Sequence, residues 1–186
     1  MILTETPLQG AYLIEIEPIR DERGFFARMF CQDQFADRKI VSTVAQCSTS
    51  FSARRATLRG MHYQTPPHGE EKFVRCTAGA IYDVIVDIRP ASSTYGKWWG
   101  AELSGGNRRT LYIPRGFAHG FVTLEDDTEV FYMISTPYAA SAARGLRWND
   151  PAIGISWPIM PLIVSSRDQQ WPMIRPMEPR TERFDE

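Results

Sequence analysis

Residues 79–89 read Gly-Ala-Ile-Tyr-Asp-Val-Ile-Val-Asp-Ile-Arg, and the run repeats with a period of two. Tyr82, Val84, Val86 and Ile88 fall on one side, and Ile81, Asp83, Ile85, Asp87 and Arg89 on the other. That period belongs to a pleated strand, whose successive side chains leave on opposite faces. A face that mixes Asp83 and Asp87 with apolar neighbours either meets solvent or lines a polar cavity. Outward from this run, further strand-like stretches are Ala11–Glu17, Phe25–Phe30, Gly100–Leu103, Leu111–Ile113, Phe117–Leu124 and Glu129–Ser135. Turn-forming clusters separate them, among them Pro66-Pro67-His68-Gly69, Ser104-Gly105-Gly106-Asn107 and Pro114-Arg115-Gly116. Helical periodicity is weak, and only single short turns around 32–38 and 139–144 are expected. Many short strands at such spacing predict an all-β sandwich or barrel. A small barrel can hold one ligand in its mouth, so polar residues at mid-chain strand positions become the candidates for function.

The chain has 186 residues, 43% of them apolar, which predicts one domain over 1–186 with a sizeable core. From about Met173 the sequence is Pro-rich and charged and reads as a surface tail. With 21 basic and 22 acidic side chains the formal net charge is -1, which points away from nucleic acid or an anionic membrane as partner. Any anion must be held by a local cluster. The first residues, MILTETPLQG, lack the pattern of a secretory leader, and no apolar run approaches a bilayer span. Cys31, Cys47 and Cys76 are odd in number and widely spaced, as expected of free thiols in a cytoplasmic protein.

There are three histidines. His68 sits in the Pro/Gly loop and reads as solvated. His62 lies in Leu58-Arg59-Gly60-Met61-His62-Tyr63-Gln64, and His119 in Ile113-Pro114-Arg115-Gly116-Phe117-Ala118-His119-Gly120-Phe121. Either could be structural. His62 stands out by its company, with Arg59 three residues before it and Lys72 ten after it. Nearby cations favour the neutral imidazole, the form a general base requires.

These stretches carry a resemblance. Asp21–Phe26 (DERGFF), Leu58–Gln64 (LRGMHYQ), Lys72–Arg89, Tyr95–Gly100 (YGKWWG), Ile113–Phe121 and Arg144–Pro158 together resemble the dTDP-4-dehydrorhamnose 3,5-epimerase family, in order and over roughly residues 3–172. The resemblance implies a cupin-type jelly roll, a homodimer, no metal or cofactor, and a nucleotide-linked 4-keto-6-deoxy sugar as substrate. It implies that His62 is the base, oriented by Asp168, that Lys72 steadies the enolate oxygen, and that Tyr132 returns a proton from the opposite face. Arg23 and Arg59 would hold the pyrophosphate, while Phe26 and Gln46 would contact the nucleotide, some of them across the dimer interface. Tyr138 would lie near the base or the sugar. His119 and Asp83 read as a supporting polar pair.

Four positions depart from the family pattern. Arg28 stands where a glutamate usually reads the base, Ser48 where asparagine is usual, Glu70-Glu71 where the family has neutral Gln-Gly, and Met133 where lysine is frequent. A guanidinium cannot replace a carboxylate that reads a pyrimidine N–H, so Arg28 and Ser48 raise the expectation of a different nucleotide. Glu70-Glu71 adds charge beside Lys72. Two other readings compete. A metal-dependent cupin would need a ligand set that His62-Tyr63-Gln64 does not supply, since Gln64 stands where a second histidine is expected. A non-catalytic binding module would have no use for a base, its orienting acid and an opposite-face acid together.

Overall fold

The computed structural model describes residues 1–175. Two antiparallel sheets face each other. The first runs, in spatial order, β1 (Ile2–Glu5), β2 (Tyr12–Glu15), β10 (Thr110–Ile113), β7 (Lys72–Ala78), β12 (Thr128–Ile134) and β5 (Gln46–Ser52). The second runs β13 (Ala143–Gly145), β6 (Thr57–Gln64), β11 (Phe117–Thr123), β8 (Ala80–Asp87) and β9 (Trp98–Ser104), with β14 (Ile163–Val164) parallel to β6. Neighbours within a sheet come from distant parts of the chain, as in a jelly roll. A separate hairpin joins β3 (Ile19–Asp21) to β4 (Gly24–Phe26), and two short helices, α1 (Gln32–Ala36) and α2 (Ser166–Gln169), complete the elements. None of the described helices is long and apolar enough to cross a membrane.

The alternating run at residues 80–87 is β8, and it is buried on both faces. Ile81 and Ile85 point between the sheets, where they meet Val74, Cys76, Leu103 and Leu111. Val84 and Val86 point the other way, into a second cluster with Met61 and Ala118, closed over by Leu146, Ile153 and Trp157. The mixed face is therefore the inner face. Asp83 meets His119 within it, and Asp87 ends the strand against Arg89, so neither aspartate is turned to solvent.

Several sequence expectations need correction. The turn expected around 139–144 forms, closed by the Ala142 and Ala143 N–H groups on the Ala139 carbonyl, but from Ala143 the chain is strand β13, which was not expected. Pairing of Ala143, Arg144 and Gly145 with Gln64, Tyr63 and His62 outweighs the helix preference of the alanines. The expected strand Phe25–Phe30 is shorter and lies earlier, at Gly24–Phe26. Residues 173–175 do not trail away: Ile174 N–H donates to Asp150 Oδ2 at 2.6 Å and Tyr95 Oη to the Arg175 carbonyl at 3.0 Å. The remainder of the expected tail lies outside the described residues.

Candidate active site

β6 supplies the centre of the site, and a bulge makes this possible. His62 pairs with His119 across the ladder and Arg59 pairs with Phe121, so three steps on β6 match two on β11. In a regular strand, residues three apart leave on opposite faces. The extra residue turns Arg59 and His62 to the same side. Gly60 carries the irregularity at φ +143°, and a Cβ there would stand 2.5 Å from the Gly120 Cα. Only glycine fits that crossing.

A cavity of about 430 Å³ opens between the sheets at this point. Arg59, His62 and His119 line it from one sheet, and Gln46, Ser48, Lys72 and Tyr132 from the other, with Tyr138 from the loop after β12. Asp168 and Asp83 stand behind the two histidines. His62 Nε2 lies 2.7 Å from Asp168 Oδ1, and His119 Nε2 lies 2.7 Å from Asp83 Oδ1. The His62 side chain is 43% exposed and that of Asp168 is 6% exposed, so one end of this dyad is open and the other is sealed. His119 and Asp83 are both buried, and Asp83 Oδ2 has no partner among the described residues.

Asp168 is held by its surroundings. Ser165 caps α2 by accepting the Asp168 N–H at 3.1 Å, which fixes the backbone. The carboxylate accepts from Gly60 N–H at 3.3 Å and Trp171 Nε1 at 3.1 Å besides His62. Burial opposes ionisation, but these donors, His62 first, outweigh it and hold the carboxyl below its ordinary range. An ionised Asp168 can only accept. The ring proton of His62 therefore sits on Nε2 and the lone pair on Nδ1, as a base requires.

Across the cavity, Tyr132 lies 3.3 Å from Ser50 Oγ, with its ring edge-on to His119. Burial pushes its phenol well above the usual tyrosine range, which keeps the proton on the oxygen at neutral pH. Lys72 Nζ bonds Glu70 Oε1 at 2.9 Å, and Glu70 also lines the cavity. Glu71 is buried elsewhere, on Arg115 and Ser135. Arg59 donates to Ser52 Oγ and to the Phe51 carbonyl.

Not every expected residue arrives. Arg23 is 83% exposed and paired with Asp21 in the β3–β4 hairpin, Phe26 is exposed on β4, and Arg28 reaches no further than Cys31 Sγ at 3.9 Å. The single chain does not bring these three to the cavity. Met133 turns to the outer face against Phe73, away from the site. Conversely, Gln64, Arg144 and Arg167 line the cavity although the sequence reading gave them no role. Trp171, which bonds Asp168, was passed over too. Gln64 and Arg144 stood inside recognised motifs, and Arg167 directly precedes Asp168; these positions were the available signal.

The dTDP-4-dehydrorhamnose 3,5-epimerase family model matches residues 5–176. A dTDP-4-dehydrorhamnose 3,5-epimerase from Sinorhizobium fredii is 45% identical over 180 residues, covering 92% of this chain and 91% of the relative. The crystal structure of the Bacillus anthracis dTDP-4-dehydrorhamnose 3,5-epimerase, with TDP and PPi bound, superposes with a TM-score of 0.89 at 38% identity, over 93% of this chain and 99% of that one. A 3'-monoepimerase from Streptomyces bikiniensis, in complex with dTDP-quinovose, superposes at 0.83 with 33% identity, over 90% and 85% of the two chains. A jelly roll with an interior polar cavity, matched in this way, is a carbohydrate epimerase, an isomerase acting on a sugar. More particularly, the chain belongs to the dTDP-4-dehydrorhamnose 3,5-epimerase family.

Proposed function

We propose that this protein inverts C3 and C5 of a dTDP-linked 4-keto-6-deoxyhexose by proton transfer beside the C4 ketone, as a step in deoxysugar biosynthesis. The observation that carries this reading is the origin of the two proton-handling groups from facing sheets. His62 comes from β6 and Tyr132 from β12, on either side of one cavity. Inversion needs a base and an acid on opposite faces of the ring; one histidine alone returns the proton where it found it.

In this reading His62 Nδ1 removes the proton and Asp168 steadies the imidazolium that forms. Charge moves to the C4 oxygen, where the Lys72 ammonium offsets it. Tyr132 then delivers its phenolic proton to the other face, and solvent resets both groups. Arg59, Arg144 and Arg167 supply cations suited to the pyrophosphate. Gln46 and Ser48 line the same cavity and belong with nucleotide or sugar contacts, as does Tyr138.

We further propose a homodimer in which Arg23, Phe26 and Arg28 reach the partner's cavity. Their exposure on and beside the β3–β4 hairpin, with Ile19 and Phe25, supports a second copy as the missing neighbour. The three free cysteines support a reducing, cytoplasmic setting. The matched relatives are named for dTDP sugars, which supports dTDP over the different nucleotide that Arg28 and Ser48 raised. The deciding experiment is NMR of dTDP-4-keto-6-deoxyglucose with the enzyme in heavy water. Deuterium at C3 and C5 with inversion is expected, label at C3 alone would make it a mono-epimerase, and no label would favour a binding module. Calorimetric titration with dTDP, CDP and GDP should favour dTDP; tighter CDP or GDP would restore the expectation raised by Arg28.

A further inference from the structure

Glu70 is the one carboxylate in the described lining of a cavity that also presents Arg59, Lys72, Arg144 and Arg167. An anionic substrate gains nothing from a carboxylate there, so its position needs a reason. Its two oxygens are both engaged. Oε1 accepts from Lys72 Nζ at 2.9 Å and Oε2 from Gln64 Nε2 at 2.9 Å. The Glu70 and Lys72 side chains are each only 11% exposed. Gln64 is pinned in turn, because its Oε1 accepts the Ala139 N–H at 2.6 Å and its Nε2 also donates to the His68 carbonyl at 3.1 Å. A rigid path therefore leads from β6 through Gln64 and Glu70 to the ammonium on β7.

In this chain such a path directs the lysine. Its head is a point charge on a four-carbon stem, with no planar fork to set its direction. The neighbouring guanidinium groups repel it, and the other carboxylate in its field, Asp83, is buried behind His119 and bonds that ring through Oδ1, with no bond to Lys72. Asp168 is likewise occupied by His62. Among the described residues, Glu70 is the carboxylate that Lys72 pairs with, so it fixes where the ammonium points.

We propose that Glu70 is the positioning residue for Lys72, holding its ammonium in one direction within the cavity through the Gln64 brace. The proposal rests on the proton-transfer reading above for its kinetic consequences, but the positioning can be read without turnover.

A double-mutant cycle in heavy water tests it. Glu70→Gln should lower kcat for exchange about tenfold while KM for the dTDP-linked substrate stays level or falls, since one negative charge leaves an anion-binding cavity. In a Lys72→Met background, Glu70→Gln should change kcat less than about twofold, because its effect runs through Lys72. Equal losses in both backgrounds, or a loss confined to KM, overturn the proposal. Nitrogen-15 NMR of the Lys72 ammonium supplies the readout free of catalysis. A protected signal in the wild type should vanish in Glu70→Gln, and its persistence overturns the proposal even if no substrate turns over. If wild type shows no exchange but the signal behaves as expected, the reaction reading fails and the positioning stands. Should Glu70→Gln not fold, Glu70→Asp takes its place in the cycle. Failure of both to fold makes Glu70 a folding determinant and overturns the proposal.

Discussion

His62 and Tyr132 differ in what their surroundings let them do. The first has one ring nitrogen bonded to a sealed carboxylate and the other open to the cavity, while the second has a phenol buried beside Ser50. His62→Ala is expected to lower solvent exchange roughly 10³-fold. Tyr132→Phe should keep exchange within a few-fold of wild type and lose net inversion, because the base still works while the opposite-face donor is gone. Deuterium NMR separates the two, and equal loss of exchange in both variants would rule out the two-face assignment. Asp168→Asn places an amide where an acceptor is required and favours the wrong tautomer of His62. Its kcat should fall about 10²-fold or more with little change in KM, as stopped-time NMR assays can measure.

At the scale of the element, the β6 bulge and the end of β8 carry the weight. Gly60→Ala drives a methyl group into the Gly120 backbone at a φ that side chains avoid. A loss of roughly 2–4 kcal/mol is expected from denaturant unfolding, with activity falling further than stability because Arg59 and His62 no longer share a face. Asp87 closes the turn after β8 by accepting from the Arg89 backbone and guanidinium and from the Ser92 and Thr94 hydroxyls. Burial opposes its charge, but these donors prevail and bring the carboxyl down to about 2. A folded value below the unfolded one stabilises the protein above the unfolded value near 3.8. That contribution is lost as pH falls toward about 2. Asp87→Asn should therefore cost about 1–3 kcal/mol at pH 7, and its gap from wild type should narrow as pH drops through this window in thermal scans.

For the whole molecule, the homodimer proposed above places the exposed hairpin of Arg23 and Phe26 at its interface. Light scattering should give a mass near twice 21.2 kDa. Phe26→Ser should shift the population toward monomer and weaken nucleotide binding together, whereas loss of one without the other would separate the hairpin from the site.

Much of this was legible in the sequence where local pattern and burial agree. β8 reads as a nearly continuous apolar run because both its faces are buried, with Asp83 and Asp87 the polar exceptions, and the strands over 117–123 and 128–134 followed from apolar repeats set between turn residues. The family resemblance offered His62, Lys72, Tyr132 and Asp168 as candidates, and the fold gathers them at one cavity. β5 went unread because its inner positions are Gln46, Ser48, Ser50 and Ser52, which serve the cavity, while Phe51 faces out. A strand that lines a polar cavity inverts the rule by which strands are found. The bulge at Gly60, the pairing of β13 with β6 and the Glu70–Lys72 ion pair were hidden because each depends on another strand's backbone or side chains. By itself the sequence determined the all-β pattern and the strand over residues 79–89, and it named the candidates for proton handling. Only the tertiary structure decided that the aspartate face of that strand turns inward, and that Arg59 and His62 stand on one side. Faces are set by register and bulges between strands, and these are made by hydrogen bonds that residues close in sequence cannot form with one another.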